Sequence, residues 1–206
     1  MQITFREYQK QDFEPLETII RETWHYDDLS SPKTAGKLAK VFLSSCLTNY
    51  TFSKVAVLDG NVVGIILVNH IKKHKCSFSD RLLQIQSILS LYSSKEGRAV
   101  SKIFGSVNGI DKQLLNEINK IYPAELSLFA LSSSCRGKGI GKKLFQAALE
   151  YMKQEHLKEF YLFTDTSCNY GFYEHQGMKR RSEKEHTFQI KGQQATMHFF
   201  IYDYQC

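Results

Sequence analysis

Residues 132–144, SSSCRGKGIGKKL, concentrate the chemistry of this chain. Gly137, Gly139 and Gly141 alternate with Lys138 and Ile140, and Arg136, Lys142 and Lys143 stand on either side. Such glycines, placed between a strand and a helix, let consecutive backbone N–H groups face one concavity, and the helix start adds partial positive charge. The result is a cradle for a polyanion, a pyrophosphate above all. A Walker A loop is excluded, because Gly141-Lys142 is followed by Lys143 and the required earlier glycine is Arg136. A dinucleotide fingerprint is excluded too, since the spacing here is Gly-x-Gly-x-Gly and lies late in the chain.

The elements that must position this loop follow from periodicity. Glu125–Leu131 (ELSLFAL) predicts the strand before it, and Leu144, Phe145, Ala148, Leu149 and Met152 give the helix after it one apolar face. Upstream, Ile3–Tyr8 reads as a strand, Asp12 as the cap of a helix bearing Phe13, Leu16, Ile19, Ile20 and Trp24, and Ser31-Pro32 as a second helix start. Lys54–Leu58 and Asn61–Ile71 form a hairpin on a type I′ Asp59-Gly60 turn, the second strand being apolar enough to be covered on both faces. Residues 76–119 predict three helices, the third capped by Asp111. Glu159–Asp165 is a strand, Asn169–Gln176 a short helix stopped by Gly177, and Met178–Ile190 and Ala195–Tyr204 a final strand pair turning at Lys191-Gly192. The fold class is therefore mixed α/β around a central sheet, a single domain over 1–206 with a helical insertion at about 76–119.

Composition narrows the class. The 206 residues are 42% hydrophobic and 23% charged, which excludes collagen-like, low-complexity and disordered chains. No apolar run nears the roughly 18 residues of a membrane span, and no secretory signal opens the chain. Twenty-seven basic against 21 acidic residues give a net charge of +6, suited to an anionic cofactor or equally to a solvated surface. The five cysteines are widely spaced with no Cys-x-x-Cys, which predicts free thiols in a reducing cytoplasm.

With its neighbours, the glycine loop resembles motif A of the GNAT superfamily of N-acetyltransferases, with Arg136, Gly139 and Gly141 in the defining places. The hairpin with Asp59-Gly60 and Val63-Gly64 looks like that family's second and third strands, and Asn169–Met178 is similar to its asparagine-started helix in shortened form. Two places depart from the pattern: Ser133 stands where a proline is common, and the asparagine helix lacks the usual alanine spacing. The resemblance implies a GNAT fold with splayed central strands, acetyl-CoA as cosubstrate, no metal, and a small-molecule or protein amine as acceptor. By carry-over, the backbone amides of Arg136, Gly137, Lys138, Gly139, Ile140, Gly141 and Lys142 would hold the pyrophosphate. Phe129, Ala130 and Leu131 would pair with the pantetheine arm, Asn169 would bond it, and Tyr173 would approach the sulfur.

The reaction itself asks for such groups. An amine attacks a thioester carbonyl, so backbone N–H near Leu131 can stabilise an oxyanion. The leaving thiolate needs a proton, which a tyrosine (reference pKa about 10) can supply, and Tyr173 is expected in that role. The attacking ammonium must lose a proton, and Glu125, at the entry to the splayed strand, is the leading base, with a water chain as the alternative. In the histone-acetyltransferase branch of the resembled family, a catalytic glutamate occupies the matching position.

Other readings stay in view. The fold could serve as an inactive CoA-binding sensor. His70, His74 and Cys76 lack a matching second cluster for a metal. Cys135 and Cys168 are thiols near helix starts. Lys179, Arg180, Arg181 and Lys184 are basic, but without the aromatic interleaving of a base-stacking surface, so nucleic acid is disfavoured. The 76–119 insertion is expected to roof the acceptor site as a lid or to form a homodimer surface.

Overall fold

A computed structural model describes residues 2–73, 76–190 and 193–206. The turn residues Lys191 and Gly192 and the side chain His74 considered above lie outside the described residues. Strand β1 (Ile3–Arg6) leads into helices α1 (Phe13–Thr23), α2 (Tyr26–Leu29) and α3 (Pro32–Leu47), then the hairpin β2 (Phe52–Leu58) and β3 (Asn61–His70). Helices α4 (Phe78–Tyr92) and α5 (Lys95–Ile118) follow, then β4 (Ala124–Leu131), α6 (Ile140–Gln154), β5 (Glu159–Asp165), α7 (Gly171–His175), β6 (Lys179–Ile190) and β7 (Gln193–Gln205). The strands form one seven-stranded sheet in the order β1-β2-β3-β4-β5-β7-β6. All neighbours are antiparallel except β4 and β5.

The sheet is covered on both faces, in keeping with the apolar run Val62–Val68 of β3, which is buried from Val63 to His70. On one face, Leu144, Phe145, Ala148 and Met152 of α6 pack on Ile66, Val68, Leu126, Phe160 and Leu162. On the other, Leu16 and Ile20 of α1 and Leu38 and Leu43 of α3 pack on Val55, Ile65, Leu67 and Leu128. A third cluster ties Ile110 and Leu114 of α5 to Tyr161, Phe199 and Ile201. Asp59 and Gly60 have φ of 48° and 83°, as the type I′ turn requires. At Gly64, a Cβ would stand 2.8 Å from the Ala130 carbonyl oxygen, so only glycine lets β3 lie this close to the end of β4.

Two expectations are corrected. Asp12 begins α1 but does not cap it. Its buried carboxylate instead takes two hydrogen bonds from the Arg6 guanidinium, each 2.6 Å, and one from the Gln9 amide. Burial pushes this carboxyl up, but Arg6 and Gln9 outweigh it and hold it below its ordinary value. Secondly, 76–119 contains two helices, not three. Gly105, Gly109 and Asp111 all lie inside α5, which runs on because its apolar face, with Val107, Ile110 and Leu114, keeps packing and outweighs the weak helix propensity of glycine. The outer face of α4 is left uncovered, with Phe78 84% and Leu89 65% exposed beside Leu82, Ile85 and Tyr92.

Candidate active site

Parallel pairing between β4 and β5 is confined to one position, Glu125 opposite Tyr161. Beyond it the two strands diverge toward their C-terminal ends, and a cleft of about 860 Å³ opens between them. Alternation along β4 sets Glu125, Ser127, Phe129 and Leu131 on its less buried face, and all four line the cleft, with Leu162–Asp165 across from them.

The glycine loop closes one mouth. Gly137 and Gly139 both have φ of 75°, the left-handed region that a side chain at those positions would strain. The first donation back along α6 comes from the Lys143 N–H, to the Gly139 carbonyl at 3.2 Å. The amides of residues 137–142 therefore find no backbone acceptor among the described residues and stay available to an anion. The Arg136 amide is already committed to the Ser133 carbonyl. Arg136, Lys138, Lys142 and Lys143 are exposed and form no ion pair among the described residues. A Cβ on Gly141 would touch the Phe129 and Phe172 rings at 3.5 and 3.7 Å, so this glycine lets the cradle rest on the aromatic wall.

Tyr173 and Asn169 reach the same cleft from α7 and the turn before it. Tyr173 packs edge-on to Phe129 and Phe172. Burial, with the negative charge of Asp165 behind it, raises the phenol well above its ordinary value, so it is a proton-bearing hydroxyl at neutral pH. Cys168 is pushed up to about 12 by burial and Asp165, and so is a thiol rather than the thiolate a nucleophile needs. Cys135 is buried.

Glu125 sits where the two strands part. Its register neighbours are Asn69, opposite it on β3, and Tyr161, opposite it on β5. Burial raises the carboxyl above its ordinary value, and the nearby polar groups of Asn69 and Tyr161 only partly offset this. Cys46 of α3 lies close enough to feel that charge, and with burial its thiol is driven up to about 12.

The far mouth is built by residues that sequence reasoning missed. Trp24 and Phe42 meet there as tilted rings with centroids 4.9 Å apart. Asp111 lines the wall from α5, beside Phe104, Val107 and Asn108. Phe104, Val107, Asp111 and Leu114 recur at helical spacing, so a carboxylate at an apolar-stripe position was the available signal. Burial raises Asp111, and the charges of Glu125 and Asp165 add to it, to about 7.

The basic strand end is occupied internally. Arg180 pairs with Glu174 and Glu183, Arg181 with Asp203, and Lys184 with Glu117. Among the described residues no group of three or more His, Cys, Asp or Glu is arranged to hold a metal ion, and no helix is long and apolar enough to cross a membrane.

A mixed sheet whose two parallel strands part around a cleft, with an amide cradle at the mouth, defines the fold and its candidate site. The sequence profile described as "Acetyltransferase (GNAT) family" matches residues 13–178, and the chain belongs to that family. Among solved structures, it is similar over its full length to the PaiA N-acetyltransferase of Thermoplasma acidophilum in complex with coenzyme A (19% identity, all of both chains, TM-score 0.51). It is also similar to PH1933 from Pyrococcus horikoshii OT3 (15%, 100% of this chain and 99% of that one, TM-score 0.61). A third is the ribosomal-protein-S18-alanine N-acetyltransferase of Escherichia coli (9%, 99% and 94%, TM-score 0.56). At these identities the likeness is one of fold. No curated protein matches the chain.

Proposed function

We propose that this chain transfers an acetyl group from acetyl-CoA to a primary amine by direct attack in a ternary complex, the whole chain acting as one domain. The observation that carries the reading is the single β4–β5 pair at Glu125 and Tyr161, with the cleft above it running from an unpaired amide cradle to a carboxylate. The amides of Gly137, Lys138, Gly139, Ile140, Gly141 and Lys142 would take the pyrophosphate, and the free edge of β4 from Phe129 through Ala130 to Leu131 would pair with the pantetheine arm. Asn169 would bond that arm. The thioester then lies between Leu131 and Tyr173. The amine nitrogen adds to its carbonyl carbon and passes its proton to Glu125, and an N–H near Leu131 holds the oxyanion. The C–S bond breaks, the sulfur takes the Tyr173 proton, and the second proton lost by the nitrogen restores Tyr173. A tyrosine raised this far donates only as thiolate charge develops.

The five cysteines are free, in keeping with a reducing cytoplasm. The apolar outer stripe of α4 is the surface a homodimer would bury. Light scattering should give twice the chain mass, falling to one mass for Leu82→Glu with Leu89→Glu; a wild-type monomer at high concentration would refute the dimer.

Calorimetric titration with acetyl-CoA, followed by thiol release against a panel of amines, tests the main reading. Binding with turnover is the expected result, and absence of binding would overturn it. Tyr173→Phe should keep acetyl-CoA affinity within about threefold while lowering kcat by roughly 10²-fold, the usual scale for a proton donor. Binding with no turnover on any amine would instead favour the CoA-binding sensor.

A further inference from the structure

The acceptor mouth carries more negative charge than one attacking amine can use. Asp111 and Glu125 face the cleft from different elements, α5 and β4, and neither has an ion-pair partner among the described residues. The cations that line the cleft, Arg136 and Lys142, are at the cradle end. A nitrogen that attacks must become neutral and so surrenders its charge to Glu125. That leaves Asp111 facing a reactant with nothing to offer it, unless the acceptor holds a second cation.

We propose that Asp111 sets acceptor specificity: the cleft selects amines with two cationic nitrogens, one attacking beside Glu125 and the other remaining an ammonium paired with Asp111. This rests on the acetyl-transfer reading above. The fit is built from several sides. Trp24, Phe42 and Phe104 line the same mouth and offer an apolar path to a methylene spacer and ring faces to a cation. Ser127 Oγ, on the cleft face of β4 between Glu125 and Phe129, is buried without a hydrogen-bond partner among the described residues. Gln84, Asn49 and Asn108 supply further acceptors for ammonium protons. The reaction balances: the ammonium gives one proton to Glu125, the N–C bond forms, the thioester C–S bond breaks, the sulfur leaves as thiol with the Tyr173 proton, and the second proton lost by the nitrogen restores Tyr173. The second ammonium is unchanged. The best acceptors are then short alkane diamines, not monoamines or an uncharged peptide terminus.

The test is steady-state kinetics of the full chain at saturating acetyl-CoA, with putrescine against n-butylamine and cadaverine against n-pentylamine. Wild type should favour each diamine by at least about tenfold in kcat/KM, most of it in KM, as expected for one enclosed charge pair. Asp111→Asn should bring that ratio close to one, and Asp111→Glu, which keeps the charge, should retain a preference. A wild-type ratio near one, or a ratio that survives Asp111→Asn, overturns the proposal. The wild-type comparison needs no variant, so a misfolded mutant does not protect it. Turnover of monoamines or peptides without diamine preference removes this inference alone. Acetyl-CoA binding with no turnover of any amine removes the transferase reading with it.

Discussion

Glu125→Gln should cut kcat/KM by roughly 10²- to 10⁴-fold, the range for loss of a positioned general base, with acetyl-CoA affinity little changed. The size follows from where the carboxylate stands. It is the one position at which β4 and β5 pair, with Asn69 and Tyr161 opposite it on the two flanking strands. Three strands thus fix its orientation, and a water released by the mutation could not be held as well. A carboxylate is a poor match for an alkyl ammonium of pKa about 10.4. Burial narrows the gap from both sides, raising Glu125 and lowering the bound ammonium. The base works ionised, so wild-type kcat/KM should rise with pH through a value above the ordinary carboxylate range and then level. In Glu125→Gln that limb should vanish. An unchanged acid limb and rate would transfer the base role to a water chain.

How much of this was legible before the structure depends on how local each signal is. The donor half was readable because its parts lie within one strand, loop and helix. Gly137 and Gly139 declare a left-handed backbone by residue type alone, and β5 falls on the predicted Glu159–Asp165. Glu125 was also reachable, since alternation along one strand puts it with Phe129 and Leu131. Its polar neighbours were not, because Asn69 and Tyr161 meet it only through strand register. The acceptor mouth needed still more. Trp24 comes from just after α1, Phe42 from α3 and Asp111 from the insertion, and nothing local ties those segments together. Asp111 was misread as a cap because an aspartate among glycines fits that role; the packing of Ile110 and Leu114 carried the helix past it instead. Asp12 shows the same limit: its cap chemistry is outbid by an arginine on β1.

Asp111→Asn should make the protein more stable at pH 8 and leave it nearly unchanged near pH 4. The folded carboxyl titrates at about 7, against about 3.9 for an aspartate in the unfolded chain. Between those values the folded state holds more protons than the unfolded one, so stability falls as pH rises through the window. Below it, aspartic acid and asparagine are both neutral, and the difference closes. Taken at full linkage the neutral-pH cost would be on the order of 4 kcal/mol. Relaxation of α5 and entry of water reduce it, so a gain of about 1–3 kcal/mol is expected, several degrees in Tm for a chain of this length. Thermal melts of both proteins from pH 4 to 8 measure it, and a variant no more stable at pH 8 would mean that solvent already screens the carboxylate. Part of the effect comes from Glu125, whose charge adds to the shift, so in Glu125→Gln the same window should move to lower pH. A half-buried carboxylate that costs stability and has no ion-pair partner among the described residues is poised for a cation from outside. A bound diamine should therefore recover stability at pH 8 in the wild type and fail to do so in Asp111→Asn.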